Sequence, residues 1–98
     1  PTIKLEAQSS EAAISVVADV SSANTLMQVR LYYSVNSSLD WREAKWQVKS
    51  MEMVDGQFQA HLDRVVGKNI AYYVEVEDFH DQGGIGYLSS LMTIERAK

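Results

Sequence analysis

Ninety-eight residues, 46% of them apolar, are enough for one buried core and too apolar for a disordered chain. The formal charge of −4 is mild, and the nine basic residues form no stripe, which argues against a nucleic-acid partner. With no cysteine there is no disulfide framework or thiolate metal site, and no apolar run approaches the roughly 20 residues of a membrane-spanning helix. The chain reads as a single domain over 1–98. Its start at Pro1, without methionine or visible signal peptide, suggests a segment of a longer polypeptide.

Residues 2–8 alternate, with Ile3, Leu5 and Ala7 on one side and Lys4, Glu6 and Gln8 on the other, which is the period of a half-buried strand. Ile14, Val16, Ala18 and Val20 continue that period over 12–20, and Ser21-Ser22-Ala23-Asn24 reads as a loop. The strongest strand spans 27–35. Met27, Val29, Leu31, Tyr33 and Val35 should face inward, and Gln28, Arg30, Tyr32 and Ser34 outward. Asn36 to Lys45 is polar and without period, with room for a helical turn.

A strand over 46–53 is broken in phase, since Trp46 and Val48 oppose Met51 and Met53. A bulge near Lys49-Ser50 would return both pairs to the core. Asp55-Gly56 is a hairpin turn leading into 57–62, where Phe58, Ala60 and Leu62 face in. Over 69–77, Ile70, Tyr72, Val74 and Val76 oppose Ala71, Tyr73, Glu75 and Glu77. The turn Asp81-Gln82-Gly83-Gly84 then leads to a last strand over 86–95. Seven short strands without a long helix predict an all-β, seven-stranded antiparallel sandwich of the immunoglobulin/fibronectin type III kind. Tyr72 is a candidate tyrosine corner or simply a core aromatic.

Four runs carry a family resemblance: Val29-Arg30-Leu31-Tyr32-Tyr33-Ser34-Val35, Trp46 with Met51, Gly56-Gln57-Phe58-Gln59-Ala60, and Ala71-Tyr72-Tyr73-Val74-Glu75-Val76-Glu77-Asp78. Together they resemble fibronectin type III-like accessory domains attached to bacterial enzymes. Asp40-Trp41-Arg42 followed by Trp46 further resembles the Asp-Phe-Arg…Trp element in the C-terminal part of PhoPQ-activated pathogenicity-related proteins, with Trp41 in place of the usual phenylalanine. The resemblance implies an exported, periplasmic or extracellular bacterial protein in which this sandwich sits beside an α/β-hydrolase-like domain. It transfers no catalytic residue.

Neither catalysis nor a cofactor is expected. His61 falls on an outward phase and His80 in a loop, and no Gly-x-Ser-x-Gly elbow, phosphate loop or His-Glu-x-x-His motif occurs. Asp78, His80 and Asp81 offer two carboxylates and an imidazole to a weak divalent cation, yet turn chemistry explains the same residues and no metal is expected. Asn36-Ser37-Ser38 matches a glycosylation acceptor, a pattern short enough to arise by chance.

The aromatic residues carry the functional expectation. If the third and sixth strands are neighbours, Tyr32 and Tyr73 share one exposed face, with Arg30 near Glu75 or Glu77. Such a face suits docking against a neighbouring domain or protein, although tyrosine also simply favours strands. Trp41 and Trp46 either stack on sugar rings, making the 36–46 loop a carbohydrate-binding site, or serve as core and lid residues. Arg42 between them either stacks on Trp46 or pairs with Asp40.

Overall fold

Side chains that alternate in this way need two layers to bury one face of each strand, and the chain forms two antiparallel sheets. The computed structural model describes residues 2–21, 25–42, 44–80 and 83–97. Among them lie nine strands and no helix: β1 (Thr2–Ser9), β2 (Ala13–Ser21), β3 (Thr25–Asn36), β4 (Gln47–Ser50), β5 (Glu52–Val54), β6 (Gln57–Asp63), β7 (Asn69–His80), β8 (Gly84–Ser89) and β9 (Thr93–Glu95). One sheet has the order β1-β2-β6-β5. The other is β4-β3-β7-β8, with β9 also paired to β7.

The long pair β3/β7 centres the five-stranded sheet, with Leu31 opposite Val74 and Val29 opposite Val76. Their inward side chains, with Ile70 and Tyr72, are buried in one cluster with Ile14, Val16 and Ala18 of β2 and Ala60 and Leu62 of β6. Each large aliphatic side chain so buried contributes roughly 1.5–3 kcal/mol. Tyr72 is only 2% exposed, so it is a core aromatic, and it stands opposite Thr93 of β9. The Asp55-Gly56 hairpin forms as expected: both residues have positive φ, 50° and 81°, the twist a two-residue turn needs between β5 and β6.

Two of the seven expected strands divide. Over 46–53 there is no bulge returning both halves to the core; the chain changes sheet instead. β4 pairs with β3, β5 pairs with β6, and Met51 alone lies between them, buried, its N–H donating to the Val29 carbonyl at 2.9 Å. The expectation that Trp46 and Val48 enter the core is thereby corrected. Val48 stands opposite Tyr32 on the outward phase of β3 and is 55% exposed. The inward phase of β4 belongs instead to Gln47 and Lys49, because an edge strand overhangs the core. Lys49 reaches across this edge to donate to the His61 carbonyl at 2.7 Å.

The last expected strand divides into β8 and β9 around a bulge. Ser89 opposes Glu75 and Thr93 opposes Tyr72, so residues 90–92 stand against 73–74, one residue in excess. Ser90 holds the irregularity together: its N–H donates to the Val74 carbonyl at 2.8 Å, and its Oγ accepts the Val74 N–H at 2.9 Å. Leu91, turned outward by the extra residue, is 91% exposed.

Candidate functional site

Cross-strand register builds the outward face of the five-stranded sheet. One row runs Val48, Tyr32, Tyr73 and then the Leu91-Met92 bulge, and the next row holds Arg30 and Glu75. Tyr32 and Tyr73 oppose each other directly, their rings stacked with centroids 5.0 Å apart and planes within 8°. Trp46, just before β4, meets Tyr73 edge-on at 5.2 Å and 65°. Such contacts add about 0.5–1.5 kcal/mol each beyond area burial and hold the rings in place. Tyr32, Tyr73 and Trp46 thus form one cluster, although the sequence places Trp46 with the core.

Beside the rings lies an ion-pair network. The Arg30 guanidinium donates to Glu75 Oε1 at 3.2 Å and to Glu77 Oε1 at 2.9 Å, and the Tyr32 hydroxyl donates to Glu75 Oε1 at 3.4 Å. The expectation that Arg30 lies near Glu75 or Glu77 is met by both. Hydrogen bonding to Glu77 is the largest influence raising the Arg30 pKa above its ordinary value, with burial opposing it. The stretch of face beyond, toward the β7–β8 turn, exposes Phe79, Ile85 and Tyr87.

Burial is the main cause raising both Tyr72 and Tyr73 above the ordinary tyrosine pKa of 10.0; Glu95 adds to it for Tyr72, and Tyr32 and Glu75 for Tyr73. In the unfolded chain these phenols ionise first. Between the unfolded and the raised folded pKa, the folded state binds more protons, so stability falls as pH rises. Urea midpoints should therefore hold up to about pH 10 and decline above it, less steeply in Tyr72→Phe. An equal decline in that variant would exclude Tyr72 as a source.

The 36–46 segment folds on its own side chains. Asn36 accepts the Ser38 N–H and donates to the Asp40 carbonyl, and Ser38 Oγ accepts the Asp40 N–H. Arg42 does not need Trp46: its Nε and Nη2 donate to the two carboxylate oxygens of Asp40 at 3.0 and 2.7 Å, holding that carboxyl below its ordinary pKa. Where the sequence has room for a helical turn, the Ala44 N–H donates to the Trp41 carbonyl at 3.2 Å, and no helix forms among the described residues. Trp41 is partly buried, and its indole N–H is enclosed without a hydrogen-bond partner among the described residues. Asn36, Ser38, Asp40 and Arg42 line an open polar cleft apart from the rings. Trp46 meets Tyr73 on the sheet face, whereas Trp41 is partly buried and makes no ring contact with another aromatic among the described residues.

Other expectations are narrower in outcome. His61 is exposed on β6 as its phase predicts. Of the suggested cation ligands, Asp78 is buried in β7, while Asp81 and the His80 side chain lie outside the described residues. No helix is long and apolar enough to cross a membrane among the described residues. Sequence reasoning missed the bulge that exposes Leu91 beside Tyr73. The signal available for it was the odd spacing of Leu91 from Leu88, which breaks the period of two.

No protein-family model matches the chain, and neither does any curated protein. Among solved structures, the chain is similar to the Br derivative of BhCBM56, a carbohydrate-binding module, with a TM-score of 0.64 at 8% sequence identity. The match covers 98% of this chain and 92% of the other. At that identity the likeness concerns the fold: an all-β arrangement of two antiparallel sheets shared with a carbohydrate-binding module.

Proposed function

We propose that this chain is a non-catalytic binding module that takes carbohydrate on the outward face of its five-stranded sheet. The observation that carries this reading is the outward cluster of exposed Trp46 with the half-buried Tyr73 and Tyr32, beside the Arg30–Glu75–Glu77 network. A sugar presents apolar C–H edges ringed by hydroxyls. Aromatic side chains receive the first, and charged groups already fixed by one another receive the second without a large ordering cost. One end of the face, at Ser34 and Ala71, is buried, while Trp46 and the outward residues Val48, Tyr87 and Ile85 are exposed, an arrangement that suits retention of a ligand against a sheet surface. The shared fold with a carbohydrate-binding module supports the same reading.

Affinity electrophoresis against soluble polysaccharides tests it. Retardation of the wild-type protein should fall about tenfold or more in Tyr73→Ala and Trp46→Ala, while circular dichroism stays unchanged. Full retention by both variants would remove the face from the site.

A second reading is docking against a neighbouring domain of the same polypeptide. Leu91 beside Tyr73, with Tyr87, Ile85 and Phe79 on the same face, favours it, because exposed apolar groups of this kind mark contact surfaces. Here the partner is the α/β-hydrolase-like domain of an exported protein that the family resemblance implies. The order β1-β2-β6-β5 against β4-β3-β7-β8 supports assignment to the immunoglobulin/fibronectin type III class, with β4 as an added edge strand.

A further inference from the structure

We infer that the glycan taken by this face is uncharged, and that chains bearing carboxylate or sulfate groups are rejected. The inference rests on the carbohydrate reading above and concerns the same site. Among the described residues that register places on this face of β3, β4, β7 and β8, Arg30 is the sole cation, and Glu75 and Glu77 are the anions, while Lys45 of the preceding segment lies toward Ser34 and Asn36 at the margin. The strand residues around the rings thus sum to one negative charge, on a chain whose formal charge is −4.

The cation is also committed. Two guanidinium nitrogens of Arg30 donate to the two carboxylates at 3.2 and 2.9 Å, and the nearest phenol, Tyr32, points its hydroxyl at Glu75. Lys49, the cation of β4, turns to the other side and donates to the His61 carbonyl. An acidic sugar seated on the rings would have to pull Arg30 away from its partners and leave Glu75 and Glu77 facing a third negative group. Like charges set against each other in an interface cost several kcal/mol. A neutral sugar meets no such opposition. Each carboxylate engages Arg30 through Oε1, and a carboxylate has further acceptor positions for the hydroxyls of a neutral ring.

Matched polysaccharide pairs test this in affinity gels: hydroxyethyl cellulose with carboxymethyl cellulose, dextran with dextran sulfate, and methyl-esterified with de-esterified pectin. For any pair that retards the protein, the neutral member should bind roughly tenfold or more tightly than its anionic partner. The neutral interaction should also change little with added salt. The double variant Glu75→Gln/Glu77→Gln frees Arg30 and should gain retardation by the anionic members. Anionic chains binding the wild-type protein as well as or better than neutral ones, with that binding lost in Arg30→Gln, would overturn the inference and leave the carbohydrate reading standing. Retardation by neither member of any pair would withdraw both.

Discussion

Replacing Tyr72 with alanine is expected to lower the unfolding free energy by about 3–5 kcal/mol. The ring is 2% exposed at the centre of the cluster shared by both sheets, so its removal leaves a cavity bounded by β2 and β7 side chains that are themselves fixed by pairing. It also removes the side chain that Thr93 of β9 faces across the β7/β9 pairing. Against a total stability of about 5–15 kcal/mol, such a loss removes between a fifth and all of what holds the chain folded. Urea denaturation followed by tryptophan fluorescence gives the number. The adjacent outward substitution Tyr73→Ala should cost less than half as much. A similar cost for the two would mean that the inward and outward phases of β7 are misassigned.

The second large effect is expected at Arg64, in the segment between β6 and β7. Its side chain is only 6% exposed, yet it belongs to no strand. It donates to the Ser10 carbonyl at 2.7 Å, to the Arg96 carbonyl at 3.3 Å and to Ser9 Oγ, and it pairs with Glu95 at 3.6 Å. One guanidinium thus joins the β1–β2 turn, the β6–β7 segment and the last residues of the chain. Arg64→Ala should cost about 1–3 kcal/mol, because several acceptors lose their donor at once and the side chain's own packing is lost, while the exposed Ser9, Ser10 and Arg96 regain water. Arg64→Lys should recover only part, since an ammonium cannot span the same fan of acceptors. A loss below about 1 kcal/mol in Arg64→Ala would show that water substitutes freely for the side chain.

The contrast between these two residues explains how much of the fold was legible. Tyr72 announces itself: it stands in a clean period-two run with Ile70, Val74 and Val76, and burial follows from period alone. The strands of the interior, β2, β3, β6 and β7, were readable in the same way. Arg64 leaves no trace in the pattern, because its burial comes from three distant segments meeting at one end of the sandwich. The edge strand β4 was equally opaque, although the edge strand β1 was not, since its alternation placed Ile3 and Leu5 against the core. β4 is only four residues long and wholly exposed, so its polar and apolar phases do not say which face is inside, and it carries Lys49 inward and Val48 outward.

The site was half legible for the same reason. Tyr32 and Tyr73 sit on central strands, where opposite phases to Leu31 and Val74 force both rings onto the outer face, and pairing of β3 with β7 brings them together. Trp46 belongs to the uncertain edge, and only the crossing at Met51 shows that it points outward. Trp41 and Arg42 lie where no period operates; local hydrogen bonds decide their placement.

That crossing at Met51 also governs how the two layers can move. Along β4 and β5 the layers share one uninterrupted backbone, so they cannot slide apart there without breaking the pairs on either side of a single residue. A second tie is not covalent: the Arg64 guanidinium joins Ser9 and Ser10, at the end of β1, to Glu95 and Arg96, at the end of β9. Displacement of one layer against the other is thus opposed by backbone at one place and by a single side chain at another, and a ligand on the outer rings rests on a layer held at both.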